Sequence, residues 1–209
     1  MLIPMTTLIA EHGVRPAGVL HLGAHTGEEA EAYARAGAER VLWFEANPRV
    51  MPALERHLAA FPGQRAVHAA VSDADDRTVE LTIASNGQSS SLLKMKRHRE
   101  RYPDITEQGT VEVRTITVDT WLARDGQSPA DYQLANLDLQ GAELLALRGM
   151  RGCLPSLRWI YAEINFEELY QGCPLAAELD AFLAPHGFTR AITADTGYGW
   201  ADALYVRNR

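Results

Sequence analysis

A strand, a glycine turn and the start of a helix follow one another near the beginning of the chain. The apolar residues 19–22 lead into Gly23, Gly27 lies four residues further on, and the Ala- and Glu-rich residues 28–36 have a helical pattern. This arrangement binds nucleotide-like cofactors in open α/β folds, because glycine lets the backbone approach a ligand where a Cβ atom would clash. The sequence therefore predicts an α/β fold with Gly23 and Gly27 at a cofactor site.

A second apolar stretch, residues 40–45, ends in an acidic side chain. Glu45 lies roughly twenty residues after the glycine turn, the spacing at which a carboxylate binds the ribose of a cofactor in such folds. One carboxylate can accept hydrogen bonds from both ribose hydroxyls. We therefore predict that Glu45 and the adjacent Ala46 bind the cofactor. The alternative is an ordinary α/β turn followed by a surface acid.

The residues of the glycine turn also indicate which cofactor binds. A dinucleotide site has the pattern G-x-G-x-x-G, but His25 and Glu28 stand at the second and third glycine positions. Glu28 and Glu29, predicted in the first turn of the helix, would repel a pyrophosphate. S-adenosylmethionine (SAM) has no phosphate and carries a sulfonium cation, so the sequence favours SAM over NAD. His25 is predicted to line the methionine end of SAM, with a plain turn residue as the alternative.

The composition indicates a single globular domain. The chain has 209 residues, 46% of them hydrophobic, which is too short for two ordinary domains, so we predict one domain over residues 1–209. The net charge of -7 argues against general nucleic-acid binding. With two cysteines, no basic leader and no apolar run of membrane-spanning length, the chain is predicted to be cytoplasmic and to have no membrane span.

The rest of the chain predicts alternating strands and helices with one interruption. The third core strand is predicted at residues 66–71 and is closed by Asp73, which either contacts the adenine or is a plain turn acid. Two stretches of period-two alternation then predict a β insertion within residues 77–120. Four more core strands are predicted at residues 134–139, 157–164, 188–193 and 203–206. Five strand–helix units and a closing strand pair predict one doubly wound, Rossmann-like sheet.

Several pieces of the chain together resemble the FkbM-type SAM-dependent methyltransferases. They are residues 21–27 (HLGAHTG), 44–48 (FEANP), 86–92 (NGQSSSL), 137–143 (LDLQGAE), 162–165 (AEIN) with 167–170 (EELY), and 200–205 (WADALY). The first piece is common to many methyltransferases, whereas the D-x-Q-G-x-E turn and the serine run are more specific. The resemblance extends from about Gly18 to the end of the chain.

This resemblance implies a fold, a cofactor and a reaction. The fold is the class I methyltransferase fold, an α/β sheet of order 3-2-1-4-5-7-6 whose seventh strand is antiparallel; the β insertion then lies between the third and fourth strands. The cofactor is SAM. The reaction is O-methylation, typically of a sugar or polyketide-like hydroxyl. The family often has Glu at the position of Gln140, and this difference weakens an acid–base role for residue 140.

Two acidic residues at the ends of predicted core strands are the candidates for catalysis. Asp138 ends the fourth strand and Glu163 the fifth, and ligands of open α/β sheets lie outside the carboxyl ends of the strands. Asp138 either holds the amino group of SAM or accepts the proton of the acceptor hydroxyl. Glu163 either shares a proton with Asp138 or caps the next segment. No metal is predicted, and Glu143 is expected to favour the dipole of the following helix.

Polar and aromatic residues in three places are predicted to bind the acceptor. They are Asn86, Ser89, Ser90, Ser91, Asn165 and Tyr170. Ser and Asn also favour solvated turns, which is the alternative for residues 86–91. The basic run 94–101 is interpreted as the exposed face of a helix in preference to a phosphate site. Tyr198 and Trp200 either stack on a sugar ring or cover the core.

The sequence supports three functions to different degrees. The favoured one is a SAM-dependent O-methyltransferase whose partner is a saccharide or glycosylated small-molecule hydroxyl, with a homo-oligomer allowed. An NAD-dependent oxidoreductase is disfavoured by the missing glycine pattern and by Glu28. A non-catalytic binding module with a SAM fold is disfavoured by Asp138 and Glu163 at the strand ends.

Overall fold

A seven-stranded sheet forms the centre of the protein, which is described by a computed structural model over residues 1–208. Its strands lie in the order β3-β2-β1-β7-β8-β10-β9. The strands are β1 (Gly18–Leu22), β2 (Arg40–Glu45), β3 (Gln64–His68), β7 (Leu134–Leu137), β8 (Trp159–Asn165), β9 (Phe188–Asp195) and β10 (Trp200–Arg207). Neighbouring strands from β3 to β8 pair in parallel, and β10 is antiparallel to both of its neighbours. Counted along the chain this is the order 3-2-1-4-5-7-6 with an antiparallel seventh strand, which confirms the predicted fold class.

Helices cover both faces of this sheet. One face packs against α1 (Met5–His12), α2 (Ala30–Ala36) and α3 (Met51–Leu58), and the other against α5 (Val118–Arg124), α6 (Glu143–Arg148) and α7 (Ala176–Leu183). Every residue of β1 is buried. Val19 packs on the face covered by α1, α2 and α3, and Leu20 and Leu22 pack on the face covered by α5, α6 and α7. A parallel strand covered on both faces is mostly apolar, and each buried Leu or Val contributes roughly 1.5–3 kcal/mol. His21 is the one polar side chain of β1, and its Nδ1 lies 3.0 Å from the Tyr33 hydroxyl.

A second, three-stranded sheet lies in the predicted insertion. It has the order β4-β6-β5, from β4 (Ala70–Val71), β5 (Thr78–Ala84) and β6 (Glu107–Ile116), and the short helix α4 (His98–Arg101) lies between β5 and β6. The prediction of one continuous third strand at residues 66–71 is wrong in one respect, because two strands, β3 and β4, share this stretch. The Ala69 N–H donates to the Glu45 carbonyl at 2.9 Å, and β4 then pairs with β6 instead of β2. The chain therefore leaves the main sheet at this point.

Several predicted boundaries also differ from the structure. The last two strands, predicted at residues 188–193 and 203–206, are longer: β9 extends to Asp195 and β10 begins at Trp200. Helix α2 begins at Ala30, so Glu28 and Glu29 lie in the turn before the helix and not in its first turn. Within residues 1–208, no helix combines the length and the apolar character needed to cross a membrane.

Candidate active site

A cavity of about 510 Å³ lies at the carboxyl ends of the parallel strands. The segments that follow β1, β2, β7 and β8 all contribute to its wall, and the insertion closes the opposite side. The predicted site residues that line this cavity are Gly23, His25, Glu45, Ala46, Asn86, Ser89, Ser90, Ser91, Asp138, Glu163 and Tyr170. The topology thus brings together residues that are far apart in the chain, as expected for a doubly wound sheet.

The glycine turn is held tightly against β2 and β7. The N–H groups of Gly23 and Ala24 donate to the Phe44 carbonyl at 2.9 and 3.0 Å. Gly23 has a φ of +89°, and a Cβ atom there would lie 1.8 Å from the carbonyl oxygen of Asp138. Glycine at this position therefore allows the carboxyl ends of β1 and β7 to meet at the cavity.

Glu45 holds the glycine turn as well as facing the cavity. Its Oε2 accepts from the His25 N–H at 2.8 Å, and its Oε1 accepts from the Asn47 N–H at 2.6 Å. Burial raises the pKa of this carboxyl, and the backbone hydrogen bonds oppose part of that rise. Each oxygen keeps a further acceptor site, so Glu45 is suited to bind ribose hydroxyls.

His25 and Glu28 form a pair at the rim of the cavity. His25 has a φ of +44°, and its Nδ1 lies 2.6 Å from Glu28 Oε1. This hydrogen bond raises the pKa of His25. Burial raises the pKa of Glu28, but the bonds from His25 and Thr26 outweigh it and lower that pKa to about 2. Glu28 therefore remains ionised throughout the physiological pH range.

Gln140 joins Asp138 to Glu163. Its Nε2 donates to Asp138 Oδ1 at 2.7 Å and to Glu163 Oε2 at 2.9 Å. Burial raises the pKa of Asp138 to about 6. Burial, followed by the charges of Asp138 and Glu143, also raises the pKa of Glu163 well above its ordinary value. The structure thus brings the two predicted catalytic acids together, in an environment where one can be charged while the other holds a proton.

Glu143 has a role that the sequence did not predict. It is fully buried, and its Oε1 accepts from the backbone N–H groups of Leu139 and Gly141 at 2.9 and 3.1 Å. Burial raises its pKa to about 7. Glu143 begins α6 as expected, but it stabilises the turn after β7 from inside the protein instead of facing solvent near a helix end.

The serine turn lines the cavity with hydroxyls that already have partners. Asn86 Oδ1 accepts from the Ser89 N–H, and Asn86 Nδ2 donates to the Ser89 hydroxyl, both at 3.0 Å. The Ser90 hydroxyl donates to the Gly87 carbonyl at 2.7 Å. Ser91 donates to the Gln140 carbonyl at 2.8 Å. These contacts order the turn before any ligand arrives, and the serine oxygens keep acceptor capacity toward the cavity.

Four aromatic rings form one wall of the cavity, here called the aromatic wall: Tyr170 and Trp200, which the sequence indicated, and His98 and Tyr102 of the insertion, which it missed. His98 is buried and lines the cavity, with its ring centre 5.2 Å from that of Tyr170 and 5.0 Å from that of Tyr102. Trp200 Nε1 donates to the Tyr102 hydroxyl at 2.7 Å. The spacing of Met95, His98 and Tyr102, three and four residues apart, was the available signal for an inward face.

The cations of the basic run point outward, as expected, and pair with acids. Arg97 and Arg101 both contact Glu167, at 2.6 and 2.5 Å, and Lys96 pairs with Glu168. The helix in this run, α4, has only four residues. Exposed pairs of this kind contribute little stability because solvent screens them, but they link the insertion to the segment after β8.

Three predicted site residues lie outside the wall of the cavity. Gly27 has a φ of +81° and packs against α3, where a Cβ atom would lie 3.0 Å from the Leu54 side chain. Asp73 contacts Arg77 at 3.3 Å, and residues 69–71, just before it, line the cavity in its place. Asn165 is buried at the end of β8. The chain turns after β1 and β4 thus place Gly27 and Asp73 away from the cavity.

The cavity wall is predominantly acidic. Five carboxyl groups line it, those of Glu28, Glu29, Glu45, Asp138 and Glu163, and the amino group of Met1 lies beside Glu29 at 2.8 Å. Among the described residues, no lysine or arginine lines the cavity, and no group of three or more His, Cys, Asp or Glu side chains could hold a metal ion. This wall is suited to a cationic ligand and would repel a pyrophosphate.

Known proteins match this chain in sequence and in fold. The model of the methyltransferase FkbM domain matches residues 21–190. The chain is 28% identical over 188 residues to the 2-O-methyltransferase NoeI of Sinorhizobium fredii (strain NBRC 101917 / NGR234), a match that covers 85% of this chain and 76% of that protein.

Solved methyltransferase structures share the fold at low sequence identity. The magnesium protoporphyrin IX methyltransferase of Synechocystis PCC 6803 with bound SAM has a TM-score of 0.50 and 14% identity, covering 98% of this chain and 76% of that one. Aeropyrum pernix fibrillarin, also with bound SAM, has a TM-score of 0.52 and 14% identity, covering 97% of this chain and 72% of that one. With a family model that matches most of its length and a sheet of the expected order, this chain belongs to the FkbM family of methyltransferases.

Proposed function

We propose that this protein transfers the methyl group of SAM to a hydroxyl oxygen of a saccharide or a glycosylated small molecule. The observation that carries the proposal is the cavity wall, which has five carboxylates and, among the described residues, no lysine or arginine. A sulfonium cation is attracted by such a wall, whereas the pyrophosphate of NAD would meet like charges. The family membership of the chain supports the same cofactor class.

The cavity has suitable groups for each part of SAM. Glu45 would accept the ribose hydroxyls, and the acids of the glycine turn would attract the positively charged methionine end. The adenine would lie against apolar residues that line the cavity near β4, namely Phe44, Ala69, Ala70, Val71 and Leu81. The groups that line the site therefore fit SAM.

Asp138 is the proposed proton acceptor in the transfer. SAM supplies a methyl group on a positively charged sulfur, so the acceptor oxygen forms the new C–O bond as the C–S bond breaks. The acceptor hydroxyl must then lose its proton, and a carboxylate at the end of β7 can take it. With a pKa of about 6, Asp138 is mostly ionised at pH 7 yet more basic than an ordinary aspartate.

The acceptor class is inferred from the wall opposite the glycine turn. Tyr102, Tyr170 and Trp200 present aromatic surface to the cavity, and the serine turn presents hydroxyls. Sugar rings combine an apolar face with hydroxyl groups, so this combination suits them. The relative NoeI is named a 2-O-methyltransferase, which supports oxygen as the atom methylated here.

The proposal is tested first by calorimetric titration with SAM, S-adenosylhomocysteine and NAD. We expect micromolar binding of the first two and no binding of NAD. Methyl transfer from labelled SAM is then measured on a panel of methyl glycosides, nucleotide sugars and free amines. Product on a glycoside hydroxyl supports the proposal, whereas binding of NAD, absence of SAM binding, or methylation of amines alone would contradict it.

Four further expectations from the sequence stay predictions. They are a single domain, a cytoplasmic location, no nucleic-acid partner and an oligomeric state that the sequence leaves open, with a homo-oligomer allowed. Size-exclusion chromatography with light scattering would decide the last of these.

A further inference from the structure

Gln140 has an uncommon backbone conformation. Its φ is +52°, and the next residue, Gly141, has a φ of +95°. The left-handed region costs a residue with a side chain on the order of 1 kcal/mol. The tertiary structure keeps this conformation, and the Gln140 side chain lines the cavity beside Asp138.

Every polar atom of the Gln140 side chain has a partner. Nε2 donates to Asp138 Oδ1 at 2.7 Å and to Glu163 Oε2 at 2.9 Å, and Oε1 accepts from the Tyr170 hydroxyl at 2.6 Å. The amide orientation follows from these partners. The reverse orientation would place the amide carbonyl against Asp138, which is mostly ionised at pH 7 and cannot donate, whereas the Tyr170 hydroxyl can donate to Oε1.

The bonds join segments that are distant in the chain. Glu163 lies 23 residues from Gln140, and Tyr170 lies 30 residues away. The Gln140 carbonyl also accepts from Ser91, 49 residues away. Gln140 therefore connects the ends of β7 and β8, the aromatic wall and the serine turn.

We propose that Gln140 is a positioning residue for methyl transfer, which holds Asp138 and Glu163 together as one proton-accepting unit and joins that unit to Tyr170. The proposal rests on the proposed function. Because Gln140 donates to both carboxyl groups and is itself neutral, it offsets their mutual repulsion without adding charge. Tyr170 is thereby fixed beside the place where the acceptor hydroxyl must lose its proton.

The surroundings of the pair make this neutral bridge important. The other charged or titratable groups that act on Asp138 or Glu163 are Glu29, Glu143, Asp202, His25, Tyr170 and the amino group of Met1. Most of these are acids, so a third carboxyl at position 140 would add repulsion and remove two donors. A methionine at 140 would remove the donors without adding charge.

The test is a carboxyl titration of the full chain by NMR with 13C-labelled aspartate and glutamate. Asp138→Asn and Glu163→Gln assign the two signals. In Gln140→Met we expect both titration midpoints to rise by about one pH unit, because the charged forms lose a donor. In Gln140→Glu we expect a larger rise, while the acceptor for Tyr170 is kept.

Gln88→Glu is the matched control, since Gln88 is exposed, lines the same cavity and would introduce the same charge. A clearly smaller shift in this control supports the proposal. Unchanged midpoints in both Gln140 variants would overturn it, as would a control shift equal to that of Gln140→Glu. Thermal unfolding and S-adenosylhomocysteine binding check each variant for folding, and if Gln140→Met does not fold, Gln140→Glu decides.

A kinetic measurement separates positioning from a general structural effect. With an acceptor found in the panel, kcat is measured as a function of pH. The acid limb of this profile should shift to higher pH together with the titration midpoints, while the KM for SAM stays the same. An equal loss of kcat at every pH would contradict the proposal. The NMR titration needs no acceptor. A panel without product would therefore count against the proposed function, and the titration midpoints would still decide whether Gln140 holds the two carboxyl groups together.

Discussion

Glu45 shows how one side chain can hold a turn in place and also face the cavity. Its two carboxylate oxygens accept from the N–H groups of His25 and Asn47 at 2.8 and 2.6 Å, while the residue also lines the cavity. A carboxylate can do this because each oxygen has two acceptor sites. An amide at this position has only one oxygen.

We therefore expect Glu45→Gln to weaken SAM and S-adenosylhomocysteine binding by at least about tenfold, because one backbone N–H then faces an NH₂ group and one ribose acceptor is lost. Calorimetry measures the affinity. Glu39→Gln is the control, since Glu39 is exposed and loses the same charge away from the cavity. Affinity equal to that of the unaltered chain would remove Glu45 as the ribose ligand.

The proposed role of Asp138 as proton acceptor is tested by replacing it with asparagine. In Asp138→Asn the remaining oxygen can still accept from Gln140 Nε2, so the geometry is kept and only the proton acceptor is lost. We expect turnover to fall by roughly 100-fold or more, with S-adenosylhomocysteine affinity within a few-fold of normal. Turnover is followed with labelled SAM and the acceptor from the panel, and near-normal turnover would show that another group takes the proton.

At the scale of elements, the glycine turn depends on how closely β1 and β7 approach. The Asp138 N–H donates to the Leu22 carbonyl at 2.9 Å, and Gly23 faces the Asp138 carbonyl. Gly37, at the end of α2, has nearly the same φ, +88° against +89° for Gly23, but a Cβ atom there would meet nothing within 4 Å. The two glycines form a natural comparison.

We expect Gly37→Ala to cost about 1 kcal/mol of stability, from the backbone alone. Gly23→Ala should cost roughly 3 kcal/mol or more, because β7 must also move away from β1. Denaturant unfolding gives both values. Equal losses in the two variants would mean that the contact with Asp138 does not restrict this position.

The elements themselves could largely be predicted from the chain. β2 was predicted at residues 40–45, as observed, because an apolar run with an acidic end is a local pattern. The division of residues 66–71 between two sheets could not be predicted, since the partner of β4 is Thr115 and Ile116 in β6. His98 was missed for a similar reason: its burial depends on Tyr170, in a segment beyond β8.

At the scale of the whole molecule, the buried carboxyl groups make stability depend on pH. Burial raises the pKa values of Asp138, Glu143 and Glu163 above those of the unfolded chain. The folded state therefore binds more protons than the unfolded state over this interval, and stability falls as pH rises through it. Burial lowers the pKa of His21 to about 4, which has the opposite effect but only below about pH 6.5.

We expect the protein to unfold at a higher temperature at pH 6 than at pH 8, because the buried carboxyl groups, and also His25 with its raised pKa, bind more protons in the folded state over this interval. Glu163→Gln keeps an oxygen that can accept from Gln140 and should reduce that difference by a few degrees. Calorimetric scans at the two pH values measure this difference in unfolding temperature. Glu80→Gln is the exposed control, and an unaltered difference in Glu163→Gln would contradict the assignment.

The sequence by itself determined the fold class, and it predicted the edge of the sheet at which the cavity lies. The strand, the glycine turn and Glu45 are local patterns, and the open α/β fold places their carboxyl ends at one edge. Only the tertiary structure decided how Gln140 bridges Asp138 and Glu163, that Glu143 is buried, and that Asp73 faces away from the cavity. These features depend on contacts between segments tens of residues apart, and no local periodicity encodes which side chains will meet there.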